Sequence, residues 1–215
     1  MNTDLIGYYH ERAAEYEKIY AKPERKHDLQ EAAQILQRIF QGKAVFEIAC
    51  GTGYWTERLA KTATSIVATD INASVLEIAK SKVYTPATVT FEQADFFKLP
   101  IPAQPYKNLF GGFIWSHIPI QEIDAFLETV CRQIEPRGSI AFMDNNYVEG
   151  SNLPITHRDE LGNTYQTRQL ENGNTYEVLK NFPDKAFITS RLQERTTDIK
   201  VIWLRYYWIA VCKNK

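Results

Sequence analysis

Three acids stand at or near the ends of apolar runs in the first half of the chain: Glu47 in V-F-E-I-A, Asp70 in I-V-A-T-D-I-N and Asp95 in F-E-Q-A-D-F-F. After the first of them comes C-G-T-G-Y-W, where Gly51 and Gly53 leave the backbone bare and free to take positive φ. Bare backbone opening a helix commonly cradles pyrophosphate, but that chemistry asks for G-x-G-x-x-G, its third glycine packing the helix. Here the third position is Thr56. A carboxylate at the strand end, Glu47, repels pyrophosphate and suits a cation. Asp70, 19 residues beyond Gly51, has the spacing of an acid that reaches ribose hydroxyls. The ligand these residue types imply is nucleoside-like and positively charged.

Such residues act together only if a sheet delivers them to one edge. Apolar strands and amphipathic helices alternate through A-V-F-E-I-A, W-T-E-R-L-A-K, S-I-V-A-T, N-A-S-V-L-E-I-A-K-S-K, T-V-T-F-E-Q, L-F-G-G-F-I-W, Q-E-I-D-A-F-L-E-T-V-C-R-Q-I and I-A-F-M-D. E-P-R-G-S reads as punctuation before that last strand. The alternation predicts a doubly wound, Rossmann-like α/β fold, its mostly parallel sheet of about seven strands covered on both faces. After Asp144 the rhythm changes. N-T-Y-Q-T-R-Q-L and T-Y-E-V-L-K flank E-N-G-N as a hairpin, and W-L-R-Y-Y-W-I-A-V-C closes the sheet as an antiparallel strand. Ahead of the sheet lie two helical patterns, one carrying Tyr9, Ala13, Tyr16 and Tyr20 on one face, the other running from Asp28 to Phe40 with Leu29, Ala32, Ala33, Leu36, Ile39 and Phe40 as its buried stripe. One domain, 1–215, is expected: N-terminal helices in 1–41, a cofactor-binding core in 42–145, and the hairpin and C-terminal strands in 146–215.

E-I-A-C-G-T-G resembles the first motif of class I S-adenosylmethionine-dependent methyltransferases, (D/E)-x-G-x-G-x-G, with Ala49 in place of the first glycine. The resemblance extends over residues 45–145. It implies S-adenosylmethionine as cofactor and S-adenosylhomocysteine as product. Glu47, Ala49, Gly51 and Gly53 would form the first motif, Asp70 with Ile71 would hold the ribose, and Asp95 would bind the adenine amino group with Phe96 beside it. It also implies that N-terminal helices fold over the cofactor as a lid, with Tyr16 its expected contact; the alternative is an aromatic stripe that only docks on the domain.

The fourth strand ends G-G-F-I-W-S-H-I-P, at the edge which in this architecture faces the methyl group. Trp115 is expected to touch cofactor and acceptor, and His117 the acceptor. Two readings of His117 stand side by side. It either takes a proton from an incoming hydroxyl or amine as the catalytic base, or only hydrogen-bonds backbone or cofactor, since methyl transfer rests mainly on in-line positioning. Asn146 and Tyr147 in D-N-N-Y-V-E-G-S, and Arg168 in the hairpin, are further acceptor-site candidates. Tyr206, Tyr207 and Trp208 read as core.

Composition narrows the partners. Lys and Arg number 25 against 26 Asp and Glu, a net charge of −1, which argues against nucleic-acid or anionic-membrane surfaces. The (D/N)-P-P-(Y/F/W) run of methyltransferases acting on amino groups of bases is missing from the fourth-strand end. The three cysteines are scattered, and His27 and His157 have no metal partners at ligand spacing, so neither a disulfide framework nor a metal site is expected. No secretory leader is read at the start, and the apolar tail segment is too short for a membrane span and carries Arg205. The expectation is a cytoplasmic monomer or homodimer that moves a methyl group to oxygen or nitrogen of a small molecule. A methyltransferase of protein or RNA, or a non-catalytic cofactor-binding module, is the alternative; a nicotinamide oxidoreductase is disfavoured by Thr56.

Overall fold

A computed structural model describes residues 3–215; Met1 and Asn2, part of the stretch read for a leader, lie outside it. Helix α1 (Thr3–Arg12) runs on as a 3-10 helix over Ala13–Ala21, and α2 is Lys26–Phe40. The alternating part follows: β1 (Ala44–Ile48), α3 (Tyr54–Leu59), β2 (Ser65–Asp70), α4 (Ala73–Lys80), β3 (Thr88–Gln93), β4 (Tyr106–Gly112), α5 (Ile123–Gln133) and β5 (Ile134–Asn145). Then come β6 (His157–Arg158), β7 (Thr164–Gln169), β8 (Thr175–Leu179), α6 (Lys185–Gln193), β9 (Thr196–Trp203) and β10 (Tyr207–Asn214).

The main sheet has seven strands in the order β3-β2-β1-β4-β5-β10-β9. β10 runs antiparallel to both its neighbours, and the other strands point one way. The order reverses between β1 and β4, so the carboxyl ends of β1, β2 and β4 frame a crevice. Alternate strand residues feed opposite faces. Val45, Ile66, Phe110 and Ile209 pack with Leu36, Trp55, Leu59 and Leu76 from α2, α3 and α4. Phe46, Leu109, Phe142 and Trp208 pack with Phe126 and Leu127 of α5 and Ile188 and Leu192 of α6. In α2 the buried stripe also includes Ile35, while Ala33 and Ile39 are only half-buried. Leu36 is fully enclosed, and truncating such a leucine to alanine costs about 2–5 kcal/mol.

Several boundaries differ from the sequence reading. E-P-R-G does not interrupt β5; Arg137 takes φ 67° inside it, and the pairing with β4 slips between Tyr106 and Asn108, so a bulge absorbs the breakers. β4 stops at Gly112, and Phe113–Trp115 turn away because Phe113 adopts φ 60°. The last strand starts at Tyr207, and Trp203, expected to open it, ends β9. Neither α6 nor β9 is evident in the sequence pattern.

The hairpin forms as expected, Gly173 supplying φ 88° at its turn, and adds β6 to make a separate three-stranded sheet. That sheet meets α1. Tyr8 and Tyr176 rings lie 5.5 Å apart edge to face, and Glu11 accepts from the side-chain amides of Asn172 and Asn174. None of the described helices is long and apolar enough to cross a membrane.

Candidate functional site

The β1–α3 turn is held from the next strand. Asp70, closing β2, accepts from the Gly51 backbone N–H at 2.9 Å through Oδ2 and from Asn72 N–H at 2.9 Å through Oδ1. Burial raises the Asp70 carboxyl above the usual carboxylate range, opposed by these backbone donors. Gly51 takes φ 56°, and a Cβ there would stand 3.8 Å from Tyr16 Cε1, in van der Waals contact. Gly53, at φ 78°, serves differently. A Cβ on it would collide with the Tyr84 hydroxyl and stand 3.1 Å from Ala79 Cβ, so this glycine lets α4 pack on the turn. Ala49 occupies φ 52°, a left-handed conformation that an L-residue adopts at a cost of about 1–2 kcal/mol.

Above this turn opens a cleft whose open space, solvent at its mouth included, is about 730 Å³. Of the cofactor-site candidates, Tyr16, Ala49, Gly51, Asp70, Ile71, Asp95 and Phe96 line it, together with Tyr9, Asn72, Val75, Phe113 and His117. Asp95 caps the short 3-10 turn Phe96–Lys98 by accepting from Phe97 N–H at 3.0 Å. Ile71, Val75 and Phe96 add apolar lining. Two acids, a bare glycine turn and apolar lining fit a nucleoside with a cationic arm; a pyrophosphate would meet two carboxylates instead.

Glu47 departs from expectation. It is 1 % exposed and lies under the turn, outside the cleft lining, because strand alternation aims it at the same face as Val45. Its Oε2 has no hydrogen-bond partner among the described residues, and burial pushes its carboxyl up to about 8.

A second cavity adjoins the first and shares Tyr9, Tyr16, Phe113 and His117 with it. His117 Nδ1 faces the Leu179 carbonyl at 2.7 Å. A carbonyl only accepts, so Nδ1 carries the proton and Nε2 receives one from the Tyr9 hydroxyl at 2.7 Å. Burial, then the cations Lys180 and Arg168, hold the His117 pKa well below its ordinary value. A buried knot fixes the turn that carries it. Lys180 Nζ donates to Ser116 Oγ at 2.6 Å and to Asp144 Oδ1 at 3.0 Å, while Ser116 N–H donates to Asp144 Oδ2 at 2.9 Å. Desolvation, partly offset by Asp144, brings Lys180 down to about 8.

Arg168, a candidate for the acceptor site, lines this second cavity. Trp115, Asn146 and Tyr147 do not. Trp115 is 1 % exposed and packs edge-on against Phe142 and Trp208 in the core, since the turn after β4 points it inward. Asn146 is spent on the carbonyls of Leu204 and Tyr207, at 2.7 and 3.1 Å, clamping β5 to the β9–β10 turn. Tyr147 packs on Phe182 at a separate apolar hollow. Tyr206, Tyr207 and Trp208 are core. The cations of the second cavity, Arg12, Lys22, Arg25 and Lys180 among them, come from distant segments and form no local motif, so nothing in the sequence singles them out.

Comparison with known proteins agrees with this geometry. A family model described as a methyltransferase domain matches residues 45–138. An uncharacterized methyltransferase of Anoxybacillus flavithermus is 24 % identical over 152 residues, 69 % of this chain and 70 % of that protein. A demethylmenaquinone methyltransferase of Bacillus licheniformis is 24 % identical over 53 % of this chain and 50 % of its own length. Among solved structures, DhpI in complex with S-adenosylhomocysteine superposes with a TM-score of 0.77 at 26 % identity, covering 98 % of this chain and 95 % of that one. A DhpI–SAM–HEP complex gives 0.80 at 25 % identity over 97 % and 95 %. Motif, sheet order, cleft and relatives converge: the chain carries a methyltransferase domain over residues 45–138 and is similar in fold and cofactor cleft to the class I S-adenosylmethionine-dependent methyltransferases.

Proposed function

We propose that the chain transfers a methyl group from S-adenosylmethionine to an oxygen or nitrogen atom of a small molecule. The observation that carries this reading is the pair of adjoining cavities, one lined by Asp70 and Asp95, the other polar, meeting at Tyr9, Tyr16, Phe113 and His117. The cofactor supplies an electrophilic methyl on a sulfonium; the chain's own residues hold and align the two partners. Asp70 is assigned to the ribose hydroxyls, Asp95 to the adenine amino group, Ile71 and Phe96 to the adenine faces, and Gly51, Ala49 and Tyr16 to the remaining length of the cleft. Gly53 is assigned to the packing of the turn on α4, and Glu47, buried beneath the turn, is given no part in holding the cofactor. His117 is assigned to holding Tyr9 at the junction, because its depressed basicity and occupied Nε2 suit that role better than proton abstraction.

A small acceptor is supported by the second cavity's lining, to which α1 contributes Tyr8, Tyr9 and Arg12 and the β7–β8 hairpin Gln166 and Arg168. Two of the related proteins are named for quinone methylation, which is consistent with small acceptors in this family. The test is calorimetric titration with S-adenosylhomocysteine, paired with mass-spectrometric detection of its formation from S-adenosylmethionine over a panel of small acceptors. Micromolar binding and acceptor-dependent product support the reading. Absence of binding sinks it.

A further inference from the structure

The second cavity holds more positive charge than its own acids neutralise. Six cations line it, Arg12, Lys18, Lys22, Arg25, Arg168 and Lys180, against a single acid, Glu15. Lys18 is paired with Glu171, and Lys180 with Asp144. The other four have no carboxylate within ion-pair distance among the described residues. Glu15 is engaged elsewhere, accepting from Glu171 N–H at 3.2 Å.

The partners these cations do have are neutral. Arg25, 6 % exposed, donates to Ser151 Oγ at 2.8 Å and Asn145 Oδ1 at 3.2 Å. Lys22 donates to the Ser151 carbonyl. Glu24 approaches this group but reaches only Ser151 Oγ, at 2.7 Å. Arg168 donates to Gln166 Oε1 at 2.9 Å and Tyr8 Oη at 3.3 Å, and Arg12 donates to the same Tyr8 Oη at 2.5 Å. Two guanidiniums therefore converge on one phenol oxygen. Like charges drawn together in a half-buried cavity raise the energy of the fold unless an anion joins them. The chain as a whole carries a net charge of −1, so this concentration is local.

From this cavity we infer that the methyl acceptor is a small organic oxyanion, a carboxylate, phosphate or phosphonate, held by Arg168, Arg12, Arg25 and Lys22, and that one of its anionic oxygens receives the methyl group. The inference rests on the proposed methyltransferase function. In the step, an oxygen lone pair forms the new O–CH3 bond as the S–CH3 bond breaks. The bonding pair stays on sulfur, giving the neutral thioether. The negative oxygen and the positive sulfonium cancel, an ester forms, and no proton is released. No base is then required, which accords with a His117 kept neutral and occupied by Tyr9. The cofactor's own carboxylate could offset one of the four cations and leaves the others for the acceptor.

The test reads binding rather than turnover. With the protein saturated by S-adenosylhomocysteine in a zwitterionic buffer, methylphosphonate, propionate, 1-propanol and propylamine are titrated calorimetrically. The inference expects at least one anion to bind about tenfold or more tighter than the alcohol and amine, since charge-assisted pairs outweigh neutral ones. Methylphosphonate against propionate separates a tetrahedral from a planar headgroup. Arg168→Gln and Lys22→Gln should each weaken that anion about tenfold, with a smaller effect on S-adenosylhomocysteine, and Arg168→Lys should restore part of the loss. If S-adenosylhomocysteine binds while both anions bind no tighter than propanol, the inference is overturned; the wild-type comparison decides this even if a variant misfolds. Unchanged anion affinity in both folded neutral variants overturns it too. Failure of S-adenosylhomocysteine itself to bind removes the proposed function instead.

Discussion

The Tyr9 hydroxyl and His117 Nε2 meet at 2.7 Å across 108 residues of chain, and both side chains line both cavities. The contact ties the N-terminal segment to the turn after β4, so the segment's position is coupled to the junction between cofactor and acceptor. Tyr9→Phe should remove about 1 kcal/mol of stability and should leave His117 Nε2 without its donor. A melting curve together with the rate of S-adenosylhomocysteine formation checks this; the expected outcome is a small loss of stability and a larger loss of turnover.

His117 also sets a pH dependence. Its folded pKa lies below the ordinary value of 6.5, so below that value the unfolded chain binds a proton that the folded chain refuses. The stabilising contribution is complete above 6.5 and declines as pH falls toward the folded pKa. His117→Gln should flatten the acid side of a stability-against-pH profile, measured by urea unfolding. Equal acid slopes in the two proteins would contradict the buried, neutral imidazole.

Glu47 makes a prediction of opposite sign. Burial raises its folded carboxyl to about 8 from an ordinary 4.5. Its contribution is therefore fully present below 4.5 and is lost as pH rises toward 8. Glu47→Gln should stabilise the protein near pH 7 by on the order of 2 kcal/mol, with no gain at pH 4. Because Glu47 does not line the cleft, affinity for S-adenosylhomocysteine should change less than threefold. A large drop in affinity would return Glu47 to the site.

How far the sequence could reveal this site follows from the kind of signal each residue leaves. Asp70, Asp95 and Gly51 sit at strand ends in a fixed order, so alternation and spacing placed them in the cleft. Trp115 shows why that reasoning stops at the first residues past a strand: a positive φ at Phe113 swings the chain, and an aromatic expected at the mouth becomes core. α6 escaped notice because its exposed polar face and short apolar pair Ile188 and Leu192 give weak periodicity. The cations of the second cavity belong to α1, the 3-10 helix Ala13–Ala21, the short link from it to α2, β7 and the stretch after β8; only the tertiary fold gathers them.

The glycine turn separates two substitutions that look alike on paper. Ala49→Gly relaxes a residue at φ 52°; the relief, less the extra entropy of glycine in the unfolded chain, should leave a gain of about 0.5 kcal/mol. Gly51→Ala places a Cβ toward Tyr16 at the cleft and strains φ 56°. It should cost about 1 kcal/mol of stability and reduce S-adenosylhomocysteine affinity by roughly tenfold. Differential scanning calorimetry and binding titrations on the pair give the signs directly. Affinity loss in both, or neither, would show that the turn does not approach the cofactor as assigned.

Asp70 carries two loads that one substitution cannot separate but two can. Its carboxylate orders the turn through Gly51 and Asn72, and it is assigned to the ribose hydroxyl pair. Asp70→Asn keeps one oxygen acceptor and the side-chain volume, whereas Asp70→Ala keeps neither. Each charge-assisted hydrogen bond lost is worth about 1.5–3 kcal/mol, so Asp70→Ala should weaken S-adenosylhomocysteine by roughly a hundredfold or more. If the carboxylate only orders the turn, 5′-methylthioadenosine and a 2′,3′-dideoxyribose analogue of it should lose affinity in equal proportion on substitution. If it also grips the ribose, the dideoxy analogue binds wild type weakly and is nearly indifferent to Asp70→Asn, while the hydroxylated analogue loses most of its advantage. That difference, read by titration of the two nucleosides against the two proteins, decides whether Asp70 touches the cofactor.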